Sequence, residues 1–416
     1  MSSPKNVVIV GAGIVGLSVG WFLQNYDIEV TILEQKSIGS GSSWANAGWL
    51  SPSLTTPLPE PAVLQYGIKS LFNPNAPLSI AFPPSIKLIN FLLTFSRNCN
   101  NKKWQKAMQS YIGINNLAFD AYDEINLSEH NLEFHQSPIM AAFETRSQAK
   151  GLLDEFEMIR GAGQSLVSYE LSGKEIRSKV PQLSDAIDFG ISIEQQRYVN
   201  SSSITRSISE SVIKRGAKII EEYKVEKIKS SNSKVYLYSK NNSDITCDAV
   251  VVANGAWIDE FSNQLGIKVP TAPGRGYSFS VPTQQEVPFP IYFPVTRVAC
   301  TPMTNNTLRV AGTMEFSHLE DGLNLRRIDA IVSSSKKLFK GVDLDNKSNL
   351  WVGPRPVSAD GMPFVGSTKL PGVYVAAGHG MWGMTLGPIT GKLLASQIAQ
   401  NQISPYLVGF DPRRKK

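Results

Sequence analysis

The sequence has few of the residues from which metal centres and disulfide frameworks are built. Its 416 residues include 3 cysteines, at positions 99, 247 and 300, and 4 histidines, at positions 130, 135, 318 and 379. The cysteines form no Cys-x-x-Cys pair, and the histidines lack the spacing of metal ligands. No nucleophile–base pattern is present either. We therefore expect no metal, and we expect Cys247, just before a buried-strand pattern, to serve packing.

Long apolar segments and a strong charge excess are also missing. The first apolar run lacks a basic flank, so no signal peptide is expected, and Ile86–Phe95 is too short to span a bilayer. The formal charge is +6, but the last four residues, Arg413–Lys416, are all basic. We expect no nucleic-acid partner and a solvated tail, with contact to acidic lipid as the alternative. The expected location is cytoplasmic, and peripheral attachment to the inner face of the membrane is left open.

The first residues carry the clearest motif. Asn6–Val10 is a short, largely β-branched apolar run, which predicts a strand buried on both faces. It leads into Gly11–Gly16, which has the Gly-x-Gly-x-x-Gly spacing, then into a run with helical periodicity, and then into a second strand, Glu29–Glu34. Strand, glycine turn, helix and strand ending in an acid form a βαβ dinucleotide-binding unit.

Each part of this motif has a physical role. Gly11 allows the tight turn, Gly13 lets the backbone approach a pyrophosphate, and Gly16 lets helix and strand pack closely. The helix N-terminus attracts phosphate, and Glu34 can accept hydrogen bonds from ribose hydroxyls. The motif by itself does not distinguish NAD from FAD. The nucleotide-contacting candidates here are Gly11, Ala12, Gly13, Ile14, Val15, Gly16, Glu34 and Gln35.

Two later segments are rich in glycine and other small residues. Residues 38–52 form either a flexible loop or a loop lying along a cofactor, where small residues permit close backbone approach. Near the C-terminus, the strand Gly372–Ala377 enters the glycine-rich turn Gly378–Pro388, followed by a helix to about Ala399. The N-terminus of that helix can stabilise the negative charge that reduction places on a flavin. One such turn at each end of the chain favours FAD over NAD.

Together, the N-terminal glycine motif, the Ser42–Pro52 stretch and the C-terminal motifs resemble the FAD-dependent D-amino-acid oxidase family. Within it they resemble the bacterial D-amino-acid dehydrogenase branch, and the resemblance covers nearly the whole chain. We expect an α/β fold with a Rossmann-like FAD-binding domain of the glutathione-reductase type. A second, α+β substrate domain is expected on an antiparallel sheet. The expected FAD-binding domain is residues 1–55, 161–260 and 346–416, and the substrate domain is residues 56–160 and 261–345.

The resemblance also implies contacts. It places Ser42 and Ser43 near the pyrophosphate and the Val225 backbone on the adenine. Ala253 and Gly255 resemble the family's second nucleotide-contacting strand end. The segment expected beside the isoalloxazine ring is Asn46, Ala47, Gly48, Trp49 and Leu50, of which the last three are also catalytic candidates. The C-terminal flavin-side candidates are Gly353, Gly378, His379, Gly380, Gly383, Met384 and Thr385.

Arg355 is the main candidate for substrate binding. Its planar guanidinium suits a carboxylate because it makes two parallel charged hydrogen bonds, and a structural ion pair is the alternative. The resemblance implies that an arginine in this Gly353-x-Arg-Pro context grips the substrate α-carboxylate and lies beside the flavin. Tyr277 is either a hydroxyl donor to the substrate or a core aromatic residue. His379 is expected to contact the flavin or order the turn rather than act as a general base.

The expected reaction is oxidative deamination of a D-amino acid to a 2-oxo acid and ammonia. It would use non-covalently bound FAD, with hydride transfer from Cα to flavin N5 and electrons passed to a quinone or another acceptor. One alternative is oxidation of glycine, sarcosine or a D-proline derivative, and another is a non-catalytic flavin-binding assembly protein. Two roles are open for the Ile86–Phe95 segment and the basic cluster from Arg97 to Lys106. They either dock on a membrane or quinone, or pack on the substrate domain.

The remaining sequence predicts ordinary helices and strands. Residues 52–84 carry eight prolines, so no long helix is expected there. Helices are expected at 104–125, 146–160 and 201–215, the last capped by Asn200 or Ser201. Strands are expected at 138–143, 217–220, 224–228 and 248–252.

Overall fold

The structure is a computed structural model that describes residues 3–63, 76–81, 83–129 and 132–414. Its helices are α1 (Ile14–Leu23), α2 (Ile86–Asn98), α3 (Asn101–Asn116), α4 (Ala118–Glu129), α5 (Lys150–Gly161), α6 (Gly173–Lys179), α7 (Ser201–Lys214), α8 (Ser262–Leu265), α9 (Leu325–Ser335) and α10 (Gly383–Gln400).

The strands up to the middle of the chain are β1 (Asn6–Val10), β2 (Glu29–Leu33), β3 (Trp49–Leu50), β4 (Leu78–Ile80), β5 (His135–Gln136), β6 (Ile139–Phe143), β7 (Ser168–Ser172), β8 (Phe189–Ile193), β9 (Arg197–Tyr198) and β10 (Lys218–Ile220). They are followed by β11 (Lys227–Ser231), β12 (Lys234–Tyr238), β13 (Ile245–Cys247), β14 (Ala249–Val252), β15 (Thr271–Pro282), β16 (Ile291–Phe293), β17 (Val298–Met303), β18 (Thr307–Phe316), β19 (Ser348–Ser358), β20 (Phe364–Ser367) and β21 (Val373–Ala377).

The predicted βαβ unit forms the centre of a six-stranded sheet in the order β10-β2-β1-β14-β21-β20. All its neighbours are parallel except β20, which runs antiparallel to β21. Helices α1 and α10 pack together beside this sheet. A Cβ at Gly391 of α10 would lie 2.6 Å from the carbonyl carbon of Ser18 of α1. The two helices that begin at the glycine turns therefore lie in direct backbone contact.

A second, larger sheet has the order β19-β15-β18-β17-β16-β6-β8-β7, with β4 paired to β18. Most neighbours are antiparallel, as predicted for the substrate domain, but β16 pairs with β6 and β18 with β4 in parallel. Residues 168–172, 189–193 and 348–358 form strands of this sheet. These three segments lie within the residue ranges predicted for the FAD-binding domain. A local sequence pattern does not specify the partner of a strand, so only the pairing shows which sheet they join.

Three predicted elements differ in their bounds. The helix expected over 104–125 is two helices, α3 and α4, because the chain is interrupted at Leu117. The strand expected over 224–228 begins only at Lys227, and Val225 lies in the preceding loop. The helix expected over 146–160 opens with a 3-10 turn, Arg146–Ala149. Asn200 caps α7 as predicted, since its side chain accepts hydrogen bonds from Ser202 N and Ser203 N.

The C-terminal tail is not simply solvated, as the sequence had suggested. Arg414 forms an ion pair of 2.7 Å with Asp360 and donates to the carbonyl oxygen of Met362, also at 2.7 Å. The tail thus holds the loop before β20. Positions 415 and 416 of the predicted tail, and His130, lie outside the described residues.

Two further observations concern the described part of the chain. No helix in it combines the length and apolar character needed to cross a membrane, and no group of three or more potential metal-ligating side chains was found in it. Cys99, Cys247 and Cys300 are free and buried.

Candidate active site

The carboxyl ends of β1 and β2 carry the first glycine turn. Gly11 adopts a φ of +110°, which requires glycine, and Gly13 caps α1 through its backbone alone. The Ser43 hydroxyl accepts a hydrogen bond of 2.9 Å from Ile14 N at the start of the helix. Glu34 accepts from Ala12 N and from Lys36 N, both at 2.9 Å. Glu34, the acid predicted to bind the ribose, therefore lies directly beside the glycine turn predicted to bind the pyrophosphate.

A cavity of about 980 Å³ joins this turn to the C-terminal glycine turn. The predicted site residues that line it are Gly11, Gly13, Ile14, Val15, Glu34, Gln35, Ser42, Ser43, Asn46, Ala47, Gly48, Trp49, Val225, Ala253, Gly255, Tyr277, Arg355, His379, Gly380, Gly383 and Met384. Segments far apart in sequence, from the N-terminus, the middle and the C-terminus, thus meet around one space.

Six predicted site residues do not line the cavity: Ala12, Gly16, Leu50, Gly353, Gly378 and Thr385. Gly16 instead provides close packing, because a Cβ there would overlap the Gly11 carbonyl oxygen. The Thr385 hydroxyl accepts a hydrogen bond of 3.2 Å from Ser51 N. It therefore holds the Ser42–Pro52 loop.

The loop beside the cavity is held by contacts that the sequence did not predict. Asn46 bonds within the loop, accepting from Gly48 N at 2.8 Å. Arg309, on β18, is buried and donates to the carbonyl oxygen of Ala45 at 2.9 Å and to the hydroxyl of Ser278 at 2.6 Å. Burial lowers the pKa of Arg309 to about 10. No local pattern around Arg309 marks this role, because the loop it holds lies more than 250 residues away in sequence.

The C-terminal turn has a buried histidine at its centre. His379 is 3 % exposed, and its Nε2 lies 3.0 Å from the Thr390 hydroxyl. Burial lowers the pKa of His379 to about 4, so its ring is neutral at ordinary pH. Trp382 donates from its indole nitrogen to the Thr56 carbonyl oxygen at 2.8 Å. These contacts order the turn from which α10 begins at Gly383.

Arg355, on β19, extends across the neighbouring strand β15. A Cβ at Gly276 would overlap its guanidinium, so a larger residue at that position would displace the guanidinium. Beyond β15, Arg355 Nη1 donates to the carbonyl oxygen of Thr313 at 3.1 Å. Burial lowers the pKa of Arg355 to about 10. Among the described residues no carboxylate forms an ion pair with it, so the structural ion pair considered above is not found there.

Thr313 lies at an irregularity of β18. Its φ is +56°, which is unusual for a β-branched residue, and the register of β15 against β18 shifts between Arg275 and Tyr277. The carbonyl oxygen of Thr313 is the one that accepts from Arg355. Backbone strain of this kind is commonly found at functional sites. Gly276 and Thr313 were not predicted from the sequence as site residues, although the Gly274-Arg-Gly276 spacing was a visible sign of close approach.

Tyr277 is 1 % exposed, and its hydroxyl donates to Glu315. Arg275 and Asn324 bind the same carboxylate, at 3.3 Å and 3.1 Å. The only O–H of Tyr277 is therefore engaged in a buried network. This geometry favours the core aromatic alternative over donation to a substrate.

The architecture and this cavity define a class, the flavin-dependent oxidoreductases, and the chain belongs to the DAO family of FAD-dependent oxidoreductases, whose sequence model matches residues 6–397. It is 26 % identical over 412 residues to D-amino acid dehydrogenase of Vibrio vulnificus (strain YJ016), with 97 % of this chain and 98 % of the relative covered. It is an FAD-dependent oxidoreductase, and its cofactor is FAD.

Solved structures show the same fold. Glycine oxidase from Geobacillus kaustophilus superposes with a TM-score of 0.76 at 21 % identity, covering 99 % of this chain and 100 % of that one. L-proline dehydrogenase from P. horikoshii gives a TM-score of 0.72 at 15 % identity, covering 100 % and 98 %.

The residues present fit FAD. The two turns reach one continuous cavity, which Gly13 and Ser43 line, and a Cβ at Gly13 would lie 3.2 Å from Ser43 Oγ. We expect the Gly11–Val15 turn to hold the phosphates, Glu34 the ribose, and the start of α10 the pyrimidine edge of the flavin. These contacts involve backbone groups and helix N-termini at both ends of the cofactor.

Proposed function

We propose that the chain oxidises D-amino acids to imino acids, which water hydrolyses to 2-oxo acids and ammonia. The observation that carries this proposal is Arg355, a half-buried guanidinium in the cavity with a backbone carbonyl as its hydrogen-bond partner. A guanidinium desolvated in this way is complementary to a carboxylate, and a bidentate pair would fix the orientation of an α-amino acid. A protein that binds FAD only for assembly, without a carboxylate substrate, would not require such a guanidinium in the cavity. Arg355 therefore disfavours a non-catalytic role.

The residues of the chain supply binding, orientation and exclusion of water. Arg355 holds the α-carboxylate, and the Asn46–Trp49 loop closes the cavity beside the reacting carbon. When bound, FAD accepts the hydride that leaves Cα. The substrate nitrogen must be neutral for this loss, so its proton passes to solvent water before oxidation. His379 is an unsuitable acceptor for that proton, because it is buried, weakly basic and bonded to Thr390.

A screen of substrates under anaerobic conditions tests the proposal. D-amino acids should bleach the flavin absorbance, whereas L-enantiomers and D-amino-acid amides should not, because the amides lack the charge that Arg355 binds. Glycine, sarcosine and D-proline belong in the same screen, since the same carboxylate grip would serve them. If only these compounds bleach the flavin, the chain is an amine oxidase of the glycine, sarcosine or D-proline type. Bleaching by L-amino acids alone would overturn the proposed stereochemistry.

We propose further that electrons pass to a quinone at a membrane surface. Helix α2 buries Phe91 against Phe316, with ring centroids 5.4 Å apart. Its opposite face exposes Ile86, Ile89 and Leu93, at 86 %, 43 % and 55 %. This exposed apolar face continues into four exposed basic residues: Arg97, Lys102, Lys103 and Lys106. An apolar stripe beside basic side chains suits peripheral contact with acidic lipid, and the cavity reaches α2.

A further inference from the structure

The cavity contains a cluster of charged groups to which the proposed oxidation assigns no role. Glu60 follows the Ser42–Pro52 loop, Glu155 comes from α5, Arg297 precedes β17, and Tyr292 lies on β16; all four side chains line the cavity. Glu60 is 8 % exposed, and Arg297 Nη1 lies 3.4 Å from the Tyr292 hydroxyl. Separate segments thus bring two carboxylates and one guanidinium to the same wall.

This cluster lies one strand beyond the partner of Arg355. Val298, next to Arg297, pairs with Gly312 of β18, and Thr313, whose carbonyl oxygen binds Arg355, follows Gly312. Adjacent strands are separated by about 4.8 Å. The distance from the α-carboxylate site to the cluster is therefore comparable with the length of an amino-acid side chain.

The cluster also adjoins the flavin-side segments. The rings of Trp49 and Tyr292 meet edge to face, with centroids 5.7 Å apart. Trp382 of the C-terminal turn binds the carbonyl oxygen of Thr56, four residues before Glu60. A substrate held by Arg355 beside the flavin would thus extend its side chain toward these charges.

The described part of the cluster holds two carboxyl groups and one guanidinium. Desolvation raises the pKa of Glu60 to about 8, the Glu155 carboxylate adds to this shift, and Arg297 opposes it, so Glu60 keeps its proton at neutral pH. Desolvation raises the pKa of Glu155 as well. A second cation at the cluster would favour ionisation of Glu60 and pair with it, whereas another anion would oppose this ionisation.

Building on the proposed amino-acid oxidation, we propose that Glu60 and Glu155 select substrates whose side chain carries a cation, either an ammonium or a guanidinium group. The side-chain cation pairs with the two carboxylates while Arg355 holds the α-carboxylate. A neutral side chain leaves Glu60 protonated and gains no ion pair with it. An acidic side chain would compete with both glutamates for Arg297.

The test compares D-lysine, D-norleucine and D-glutamate, which have similar lengths and differ in side-chain charge. With the holoenzyme, kcat/KM for D-lysine should exceed that for D-norleucine at least tenfold, and D-glutamate should be the poorest substrate. Glu60→Gln and Glu155→Gln should each lower the ratio of D-lysine to D-norleucine about tenfold or more. Glu157→Gln is the matched control, because Glu157 lies on α5 but is exposed and pairs with Arg160.

The outcomes separate this inference from the proposed function. If D-norleucine matches or surpasses D-lysine, the cation selection is wrong while the oxidation of D-amino acids stands. If no D-amino acid bleaches the flavin, both fail. A purely structural cluster would lower FAD content or Tm in the variants and leave the substrate ratio unchanged, which also overturns the inference. If a variant does not fold, the comparison of the three substrates with the unaltered enzyme still tests whether a side-chain cation is selected.

Discussion

Arg355 reaches the carbonyl oxygen of Thr313 by crossing the face of Gly276. The contact joins β19 to β18 over the intervening strand β15, and it presents a guanidinium to the cavity without a carboxylate partner among the described residues. Because a partly desolvated charge is costly unless it is paired, this arrangement is best suited to a site that an anionic ligand completes.

Replacing Arg355 should impair substrate use far more than FAD content. Loss of a charged, desolvated contact costs on the order of 2–5 kcal/mol when its partner stays buried. Arg355→Ala and Arg355→Lys should therefore lower kcat/KM by roughly two orders of magnitude or more, measured by anaerobic flavin reduction. Arg146→Ala is the control, since Arg146 is an exposed arginine paired with Glu170. Normal kcat/KM in Arg355→Ala would remove this residue from the substrate site.

Gly276→Ala should act through Arg355. The added methyl would occupy the space of the guanidinium, so the side chain must move away from Thr313 and from the substrate. We expect a large rise in KM with normal FAD absorbance. Gly322→Ala is a suitable control, because a Cβ there meets nothing within 4 Å. An unchanged KM in Gly276→Ala would mean that the guanidinium does not bind substrate in the position described.

FAD should be tightly but non-covalently bound. The three cysteines are buried and none lines the cavity, so none is placed to attach the flavin. Acid precipitation should release yellow FAD into the supernatant, and colour retained in the pellet would contradict this prediction. Gly13→Val should abolish FAD binding by filling the space where the pyrophosphate approaches. Gly151→Ala, in an open position on α5, should bind FAD normally.

His379 should make stability depend on pH in the acidic range. Its pKa is about 4 in the folded chain and 6.5 in the reference state, so the unfolded chain binds the extra proton first as pH falls. The stabilisation is fully present above pH 6.5 and is lost progressively toward pH 4, by roughly 3 kcal/mol. The free energy of unfolding of His379→Asn should fall less steeply over this interval. An equal slope in both proteins would contradict the prediction, and His318→Asn, on the surface, controls for loss of a histidine.

Reduced enzyme should reoxidise slowly in air and quickly with a quinone analogue. Part of it should sediment with acidic liposomes at low salt and be released at high salt, because the contact combines an apolar stripe with basic side chains. Ile89→Glu with Leu93→Glu should abolish sedimentation, whereas Leu127→Glu, at an exposed leucine on α4, should not. Hydrogen peroxide formed as fast as a dye is reduced would identify an oxidase. Absence of liposome binding would refute only the membrane contact.

The FAD-binding core could be predicted from local sequence patterns. The run Asn6–Val10, the glycine spacing and Glu34 predict a strand, a turn and an acid whose positions follow from local geometry, and the structure has them there. The same holds for the turn into α10, because glycines and a following helical pattern are local signals. Arg355 could also be proposed from the sequence as a substrate-binding residue, since an arginine between prolines in an apolar segment stands out, and that role stays a prediction.

The surroundings of that arginine, and the sheet that several strands join, depend on how distant segments pack together. Strands β7, β8 and β19 join the large sheet through pairings between residues far apart in sequence, and short alternating patterns do not specify a partner. The same is true of Gly276, Thr313 and Arg309, and of the meeting of Glu60 with Glu155 and Arg297. Each depends on which strands lie side by side. A local pattern sets the conformation of a segment, whereas the contacts between side chains on different strands exist only after the sheets have formed.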